Sequence, residues 1–246
     1  MRPLHHGKAY GIGQRQTEMH AKECDVELTA LVADALAKCP GSTPVAIEEG
    51  VVGNLPIELT PAELQRLHDA VPKRRREFLS GRYYASVACQ RFGLDRPTLP
   101  PDSRGAPAWP SPVVGSITHC DVWAAAAVAR RIDVLSLGID VEPAEQLPAR
   151  LEYVVATSSE RHMLANLECT ACPAPDRLLF CVKEAVFKAW YPLTRRWLDF
   201  EDVVVDLRND GTWTARGGRD GIRFAWDGGW SSQAALMATA LVVVRR

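Results

Sequence analysis

Between Val134 and Glu142 the residues alternate, with Leu135, Leu137, Ile139 and Val141 set against Ser136, Gly138, Asp140 and Glu142. A period of two marks a strand with one face in a core, so the chain must build a sheet here and cover that face. Asp140 and Glu142, at i and i+2, then project together from the opposite face. A later segment, Lys183-Glu184-Ala185-Val186-Phe187-Lys188, adds a third carboxylate and two ammonium groups. Three acids with two lysines suit a hard divalent cation that grips a phosphate, which makes phosphoryl-group chemistry the leading reading. The plain alternatives are an edge strand with solvated acids and a surface Glu–Lys pair worth about 0.3 kcal/mol.

The second segment reads as part of a helix capped by Asp176, running to Tyr191 and ended by Pro192. Leu179, Val182, Val186 and Ala189 form its buried stripe. Glu184 and Lys188 are four apart and share a face. Lys183 sits about 100° round from Glu184 and about 140° from Lys188, so helix geometry turns it away from Lys188. Phe180, Phe187, Trp190 and Tyr191 argue against a merely solvated helix.

Elsewhere the sequence predicts a helix over Glu27–Lys38 and a strand at Val45–Ile47. A helix start at Thr60-Pro61-Ala62-Glu63 carries a Thr cap, Pro at the first position and Glu at the third. A long helix covers Lys73–Phe92, stopped by Gly93. Pro97–Pro112 is a loop, followed by strands at Val113–Ser116 and Val122–Val128. Arg130–Asp133 is the best hinge. The C-terminal region is β-rich, with strands around Val203–Val205, Trp213, Ile222–Trp226 and Ala238–Val244 and a turn at Asn209-Asp210-Gly211. Residues 1–40 read as a poorly defined lead-in, 41–130 as an N-terminal half and 131–246 as a C-terminal half.

With 246 residues, 47% hydrophobic and 24% charged, the chain has the balance of an ordinary soluble protein with a substantial core. A net charge of −1 gives no global argument for nucleic acid or a membrane surface. Basic clusters are local, at Lys73–Arg76, Arg130-Arg131 and Arg195-Arg196, and such runs usually form solvated faces. No apolar run reaches the roughly 18 residues of a membrane span, and the N-terminus lacks a signal-peptide core. A cytoplasmic location is expected, with the seven cysteines reduced. The lone Cys169-x-x-Cys172 lacks a second pair for zinc, and Gly11-Ile12-Gly13 lacks the strand–helix context of a phosphate loop.

The motif order is an Arg-rich helix, Arg104-Gly-x-Pro-x-Trp-Pro, Gly115-Ser-Ile-Thr-His119, Gly138-Ile-Asp-x-Glu142, then Phe180-Cys-x-Lys-Glu-Ala-x-x-Lys188. This order resembles the 4′-phosphopantetheinyl transferases of the actinobacterial and enterobactin-synthetase type, within the broader surfactin class. The resemblance covers Val45–Asp202 firmly and the C-terminal strands in outline. It implies an α+β fold of two similar halves about a pseudo-twofold axis, with the active site between them. It also implies the reaction, in which coenzyme A donates its phosphopantetheine arm to a serine of an apo acyl, peptidyl or aryl carrier protein. Adenosine 3′,5′-bisphosphate leaves. A monomer is the expectation for this two-half type.

By the same resemblance, Asp140, Glu142, Glu184 and the carbonyl of Val141 bind magnesium. Glu184 takes the serine proton, directly or through a metal-bound water, and Lys188 balances phosphate charge with Lys183 as a further partner. His119 and the backbone at Thr118 hold the 3′-phosphate, and Arg74, Arg82 and Arg104 make other coenzyme A contacts. Arg75 is the alternative to Arg74, because it lies seven residues before Arg82 and aligns with it on a helix. Pro101 stands where relatives often have a basic residue. Phe180, Phe187 and Trp197 match the lining of the pantetheine channel, with core packing an equal reading for Phe180. The alternative function is a coenzyme A binding or scaffold protein without catalysis, which would have lost an acid or lysine from this cluster. Arg130-Arg131 or Arg195-Arg196 are candidates for docking an acidic carrier helix.

Overall fold

The computed structural model describes residues 29–41, 43–167, 172–233 and 235–245. Helix α1 is Thr29–Ala37, strand β1 Val45–Val51, helix α2 Pro61–Leu67 and helix α3 Pro72–Gln90. Strands β2 (Val113–His119), β3 (Trp123–Arg130) and β4 (Val134–Pro143) follow, then helices α4 (Ala149–Val155), α5 (Ser158–Ala165) and α6 (Pro175–Thr194). A 3₁₀ turn at Phe200–Asp202 leads to β5 (Val203–Leu207), β6 (Thr212–Arg219), β7 (Ile222–Gln233) and β8 (Leu236–Val244). The N-terminal end of the expected first helix, Gly11–Gly13 and Cys169 lie outside the described residues.

Two antiparallel sheets result, in the orders β1-β3-β2 and β4-β8-β7-β6-β5. Helix α3 packs on the first sheet and α6 on the second, against β4, β8 and β5. The sheets meet at β2 and β4 through side chains instead of a ladder. The Ser116 hydroxyl accepts from the Ile139 amide at 3.1 Å, and the Thr118 hydroxyl from the Val141 amide at 3.1 Å. Two hydroxyls spaced i, i+2 thus satisfy the amides that β4 turns away from β8, and its free edge is sealed.

Strand β4 is covered on both faces. Leu137, Ile139 and Val141 join a core with Ala238 and Ala240 of β8, alanines of β3, and Leu31, Val32 and Ala35 of α1. A register irregularity between Val134 and Ser136 puts Val134 in that core at the strand's start, where simple alternation placed Leu135. The polar face lies under α6: the Ser136 hydroxyl donates to the Ala189 carbonyl. A Cβ built on Gly138 would stand 2.0 Å from the Ala185 carbonyl oxygen. Only glycine permits that approach, and it brings Asp140 beside the helix.

Several expectations are corrected. The helix expected within Glu27–Lys38 forms over Thr29–Ala37, but it packs on β7 and β8 with Leu31, Val32 and Ala35 buried, so this part of the lead-in belongs to the core. Asp176 does not cap α6. Pro175 occupies the first turn after Ala174, and Asp176 Oδ2 instead accepts from the Leu147 amide at 2.7 Å. Pro192 does not end the helix, which continues to Thr194 and stops at Arg195 in the left-handed region (φ 58°). Proline in a last turn forfeits only one helical bond, so the chain tolerates it there. The capping box of α2 forms as expected between Thr60 and Glu63.

Candidate active site

A cleft of about 520 Å³ opens between α3, β2, the Asp102–Trp109 loop and α6. Arg74, Arg82, Arg104, His119, Glu184 and Lys188 all border it. Six residues singled out from motifs far apart in sequence therefore share one space.

Arg74 projects from the first turn of α3 to His119 at the end of β2, with Nη1 2.7 Å from His119 Nε2. Glu77, one turn on, lies 3.5 Å from Arg74 Nη1 and 3.6 Å from His119 Nδ1. Because Nε2 faces a guanidinium donor, the network assigns the ring proton to Nδ1. Burial, then the charges of Arg74 and Lys188, push the His119 pKa down to about 4, so the ring is neutral at pH 7. Arg75 does not compete with Arg74. It donates to the Leu67 carbonyl at 2.8 Å and does not border the cleft. Arg82 is buried at the cleft wall, with Nε 3.2 Å from Glu63 Oε1, so the cap of α2 also anchors a cleft cation.

On the other wall Lys188 Nζ donates to Asp140 Oδ1 at 2.6 Å. Burial disfavours the ammonium, but Asp140 and Glu184 outweigh it and raise the Lys188 pKa above the usual lysine range. Glu184 is raised above the usual carboxylate range chiefly by burial, with Lys188 opposing and Asp140 reinforcing. Glu142 is raised to about 7 by burial and by repulsion from Asp140, against the pull of Arg177, which sits 3.1 Å from it. Thr118 donates to Asp140 Oδ1 at 2.8 Å; its side chain orients the acid and does not border the cleft.

Among the described residues, no three His, Cys, Asp or Glu side chains close on a common point. Asp140 and Glu142 instead face the cations Lys188 and Arg177. Yet Asp140 Oδ2 is buried without a hydrogen-bond partner, and repulsion from Asp140 adds to burial in raising the pKa values of Glu142 and Glu184. An orphaned carboxylate oxygen among hard oxygen donors fits magnesium.

Lys183 is not part of this cluster. Its Nζ donates to Glu160 Oε2 and the Val155 carbonyl at 2.8 Å and to the Phe200 carbonyl at 2.9 Å, on the far side of α6. Phe180 also leaves the site, packing against Phe200 and the core, whereas Phe187 and Trp197 line the cleft. The paired arginines are engaged within the chain. Arg130 pairs with Asp133, Arg131 binds the Ser111 and Val113 carbonyls, Arg195 binds Asp102 and Arg196 binds Asp220. Cys39, Cys89, Cys120 and Cys181 are buried free thiols, and Cys172 is buried as well. Glu77, Asp102, Arg177 and Tyr191 were not singled out for a site role. For Asp102, its place two residues before Arg104 in a turn-rich loop is the one local signal.

Comparison with known proteins gives the family. The 4′-phosphopantetheinyl transferase N-terminal domain model matches residues 62–129, and the 4′-phosphopantetheinyl transferase superfamily model matches residues 136–240. The chain is 46% identical over 200 residues to 4′-phosphopantetheinyl transferase Svp of Streptomyces mobaraensis, covering 75% of this chain and 78% of that one. It is 42% identical to Npt of Nocardia iowensis (66% and 73% covered) and 38% identical to PptT of Mycobacterium tuberculosis (74% and 85% covered). The chain belongs to the 4′-phosphopantetheinyl transferases. Its reaction moves phosphopantetheine from coenzyme A to a carrier protein. No described helix is long and apolar enough to cross a membrane.

Proposed function

We propose that coenzyme A lies in the cleft between α3 and α6, and that the residues of α6 carry out the transfer with magnesium as cofactor. The observation that carries this reading is the placement of Glu184 and Lys188, one turn apart on α6, opposite Arg74, Arg104 and His119 across one space. Arg74, Arg82 and Arg104 supply charged donors to the phosphates, and His119, seated beside Arg74, holds the 3′-phosphate together with it. Phe187 and Trp197, with ring centroids 4.9 Å apart, give the pantetheine arm an apolar wall.

Glu184 accepts the proton of the carrier serine as its oxygen bonds to the β-phosphorus. Its raised pKa suits that task, because a stronger base holds the proton through the step. The bond from that phosphorus to the bridging oxygen breaks, and adenosine 3′,5′-bisphosphate leaves. Lys188, held as a cation by Asp140 and Glu184, balances the charge on the departing phosphate. Asp140, Glu142, Glu184 and the Val141 carbonyl would hold magnesium, which when bound neutralises charge on the two phosphates.

The two sheets, each with its long helix, are read as the two similar halves of a pseudo-twofold enzyme that works as a monomer. Its partners are apo acyl, peptidyl or aryl carrier proteins. Glu184→Gln tests the assignment: coenzyme A should still bind by calorimetry while transfer falls by about 10²-fold or more. Wild-type transfer in that variant would remove Glu184 from the chemistry. The alternative of a scaffold without catalysis predicts no transfer by the unaltered chain.

A further inference from the structure

The loop that carries Arg104 is tied to the catalytic helix through Asp102. Asp102 Oδ1 accepts from the Arg104 amide at 2.9 Å and the Ala106 amide at 3.0 Å. The Asp102 amide donates to the Ala106 carbonyl at 2.8 Å, and Gly105, with φ 93°, donates back to the Asp102 carbonyl at 3.0 Å. A bridge between Pro101 and Pro107 closes the base of the loop. One carboxylate oxygen thus sets the backbone on which Arg104 stands.

The other oxygen reaches α6. Asp102 Oδ2 accepts from the Tyr191 hydroxyl at 2.9 Å and from Arg195 Nη1 at 3.0 Å. Arg195 can do this because the left-handed end of α6 turns the chain at that residue. The Tyr191 ring also has the guanidinium of Arg104 at 5.9 Å and that of Arg195 at 5.6 Å from its centroid. Lys188 lies one turn earlier on the same helix. Two cleft cations from distant segments are therefore held in a fixed relation through Asp102 and Tyr191.

An exposed ion pair between Asp102 and Arg195 alone would be worth little. This carboxylate differs because four donors from two segments fill its acceptor sites. Burial raises its pKa, but the Tyr191, Arg104 and Ala106 bonds and the Arg195 charge prevail and hold it below the usual aspartate range. We propose that Asp102 is a positioning residue that sets Arg104 against α6, so that the loop and the catalytic helix grip coenzyme A as one unit. The inference rests on the reading that coenzyme A occupies this cleft.

The test is a double-mutant cycle on coenzyme A affinity by calorimetry, with Asp102→Ala, Arg104→Ala and the pair in the full chain. If Asp102 acts through Arg104, each single variant weakens coenzyme A by about tenfold and the pair is no weaker than Arg104→Ala. KM for the carrier stays unchanged in Asp102→Ala, and Asp102→Asn recovers part of the affinity through its carbonyl oxygen. Fully additive losses, or wild-type affinity in Asp102→Ala beside a weakened Arg104→Ala, would overturn the positioning role. Unchanged affinity in Arg104→Ala would instead overturn the cleft assignment and the inference with it. Arg195→Ala, which leaves both Oδ1 bonds in place, should lose affinity by less than Asp102→Ala; an equal loss would mean that the loop turn contributes nothing.

Discussion

Gly138→Ala should damage this enzyme twice, once in stability and once in chemistry. The added Cβ would lie 2.0 Å from the Ala185 carbonyl oxygen, 2.9 Å from its carbon and 3.0 Å from Leu241 Cδ2. The obstacle is helix backbone, which cannot rotate aside as a side chain would. Strand β4 and helix α6 must therefore part by about 1 Å to reach even the shortest tolerable contact. Overpacking of this kind costs about 1–3 kcal/mol, or roughly 2–4 °C of melting temperature per kcal/mol in a chain of this size. The same displacement pulls Asp140 away from Lys188, now 2.6 Å apart, and from Glu184. A 1 Å misplacement of reacting groups costs about 10²-fold in rate. Thermal unfolding and transfer at saturating coenzyme A read the two effects. Gly53→Ala is the control, because nothing lies within 4 Å of its added Cβ. Wild-type melting temperature and rate in Gly138→Ala would refute the close approach of β4 and α6.

Two further perturbations separate structure from chemistry. Lys183→Ala strands the Glu160 carboxylate, which is 1% exposed, and should destabilise the fold by about 3–5 kcal/mol while the folded fraction keeps its kcat. Lys188→Ala also leaves the buried Asp140 without its cation and should lose melting temperature, but unlike Lys183→Ala its folded fraction should lose about 10²-fold in transfer; a loss of kcat in folded Lys183→Ala would restore Lys183 to the site. The pH dependence follows from His119, whose folded pKa lies near 4 against an ordinary 6.5. A depressed histidine gives stability that is full above 6.5 and lost as pH falls toward 4, because the unfolded chain then binds the extra proton. In urea unfolding at pH 7 and pH 5, wild type should lose up to about 2 kcal/mol more than His119→Asn; equal losses would show that the ring is not held neutral.

The parts of this site that could be read in the sequence are those encoded locally. The i, i+2 acids of β4, the i, i+4 pair of α6 and the Thr60–Glu63 box each follow from the period of one element. Lys183 shows where that stops. Helix geometry turned it away from Lys188, but its partner Glu160 lies across a separate loop and helix. Glu160 also accepts from the Val205 amide and caps α5, a junction that only the tertiary fold creates. Helices α4 and α5 went unpredicted, although Thr157-Ser-Ser-Glu160 carries the same capping pattern as Thr60–Glu63. Ser116 and Thr118, which seal β4, and Asp102, which meets Tyr191, likewise depend on contacts between distant segments. Asp176 misled because aspartate near a helix start suggests a cap, whereas Pro175 set the boundary and left the carboxylate for Leu147.

The measurement that bears most directly on the whole account is the intact mass of apo acyl and peptidyl carrier proteins after incubation with this enzyme, coenzyme A and magnesium. A gain of one phosphopantetheine, abolished by a chelator, restored by excess magnesium and absent with Asp140→Ala, is the predicted result. An unchanged carrier mass, or a gain that survives both the chelator and Asp140→Ala, would contradict it.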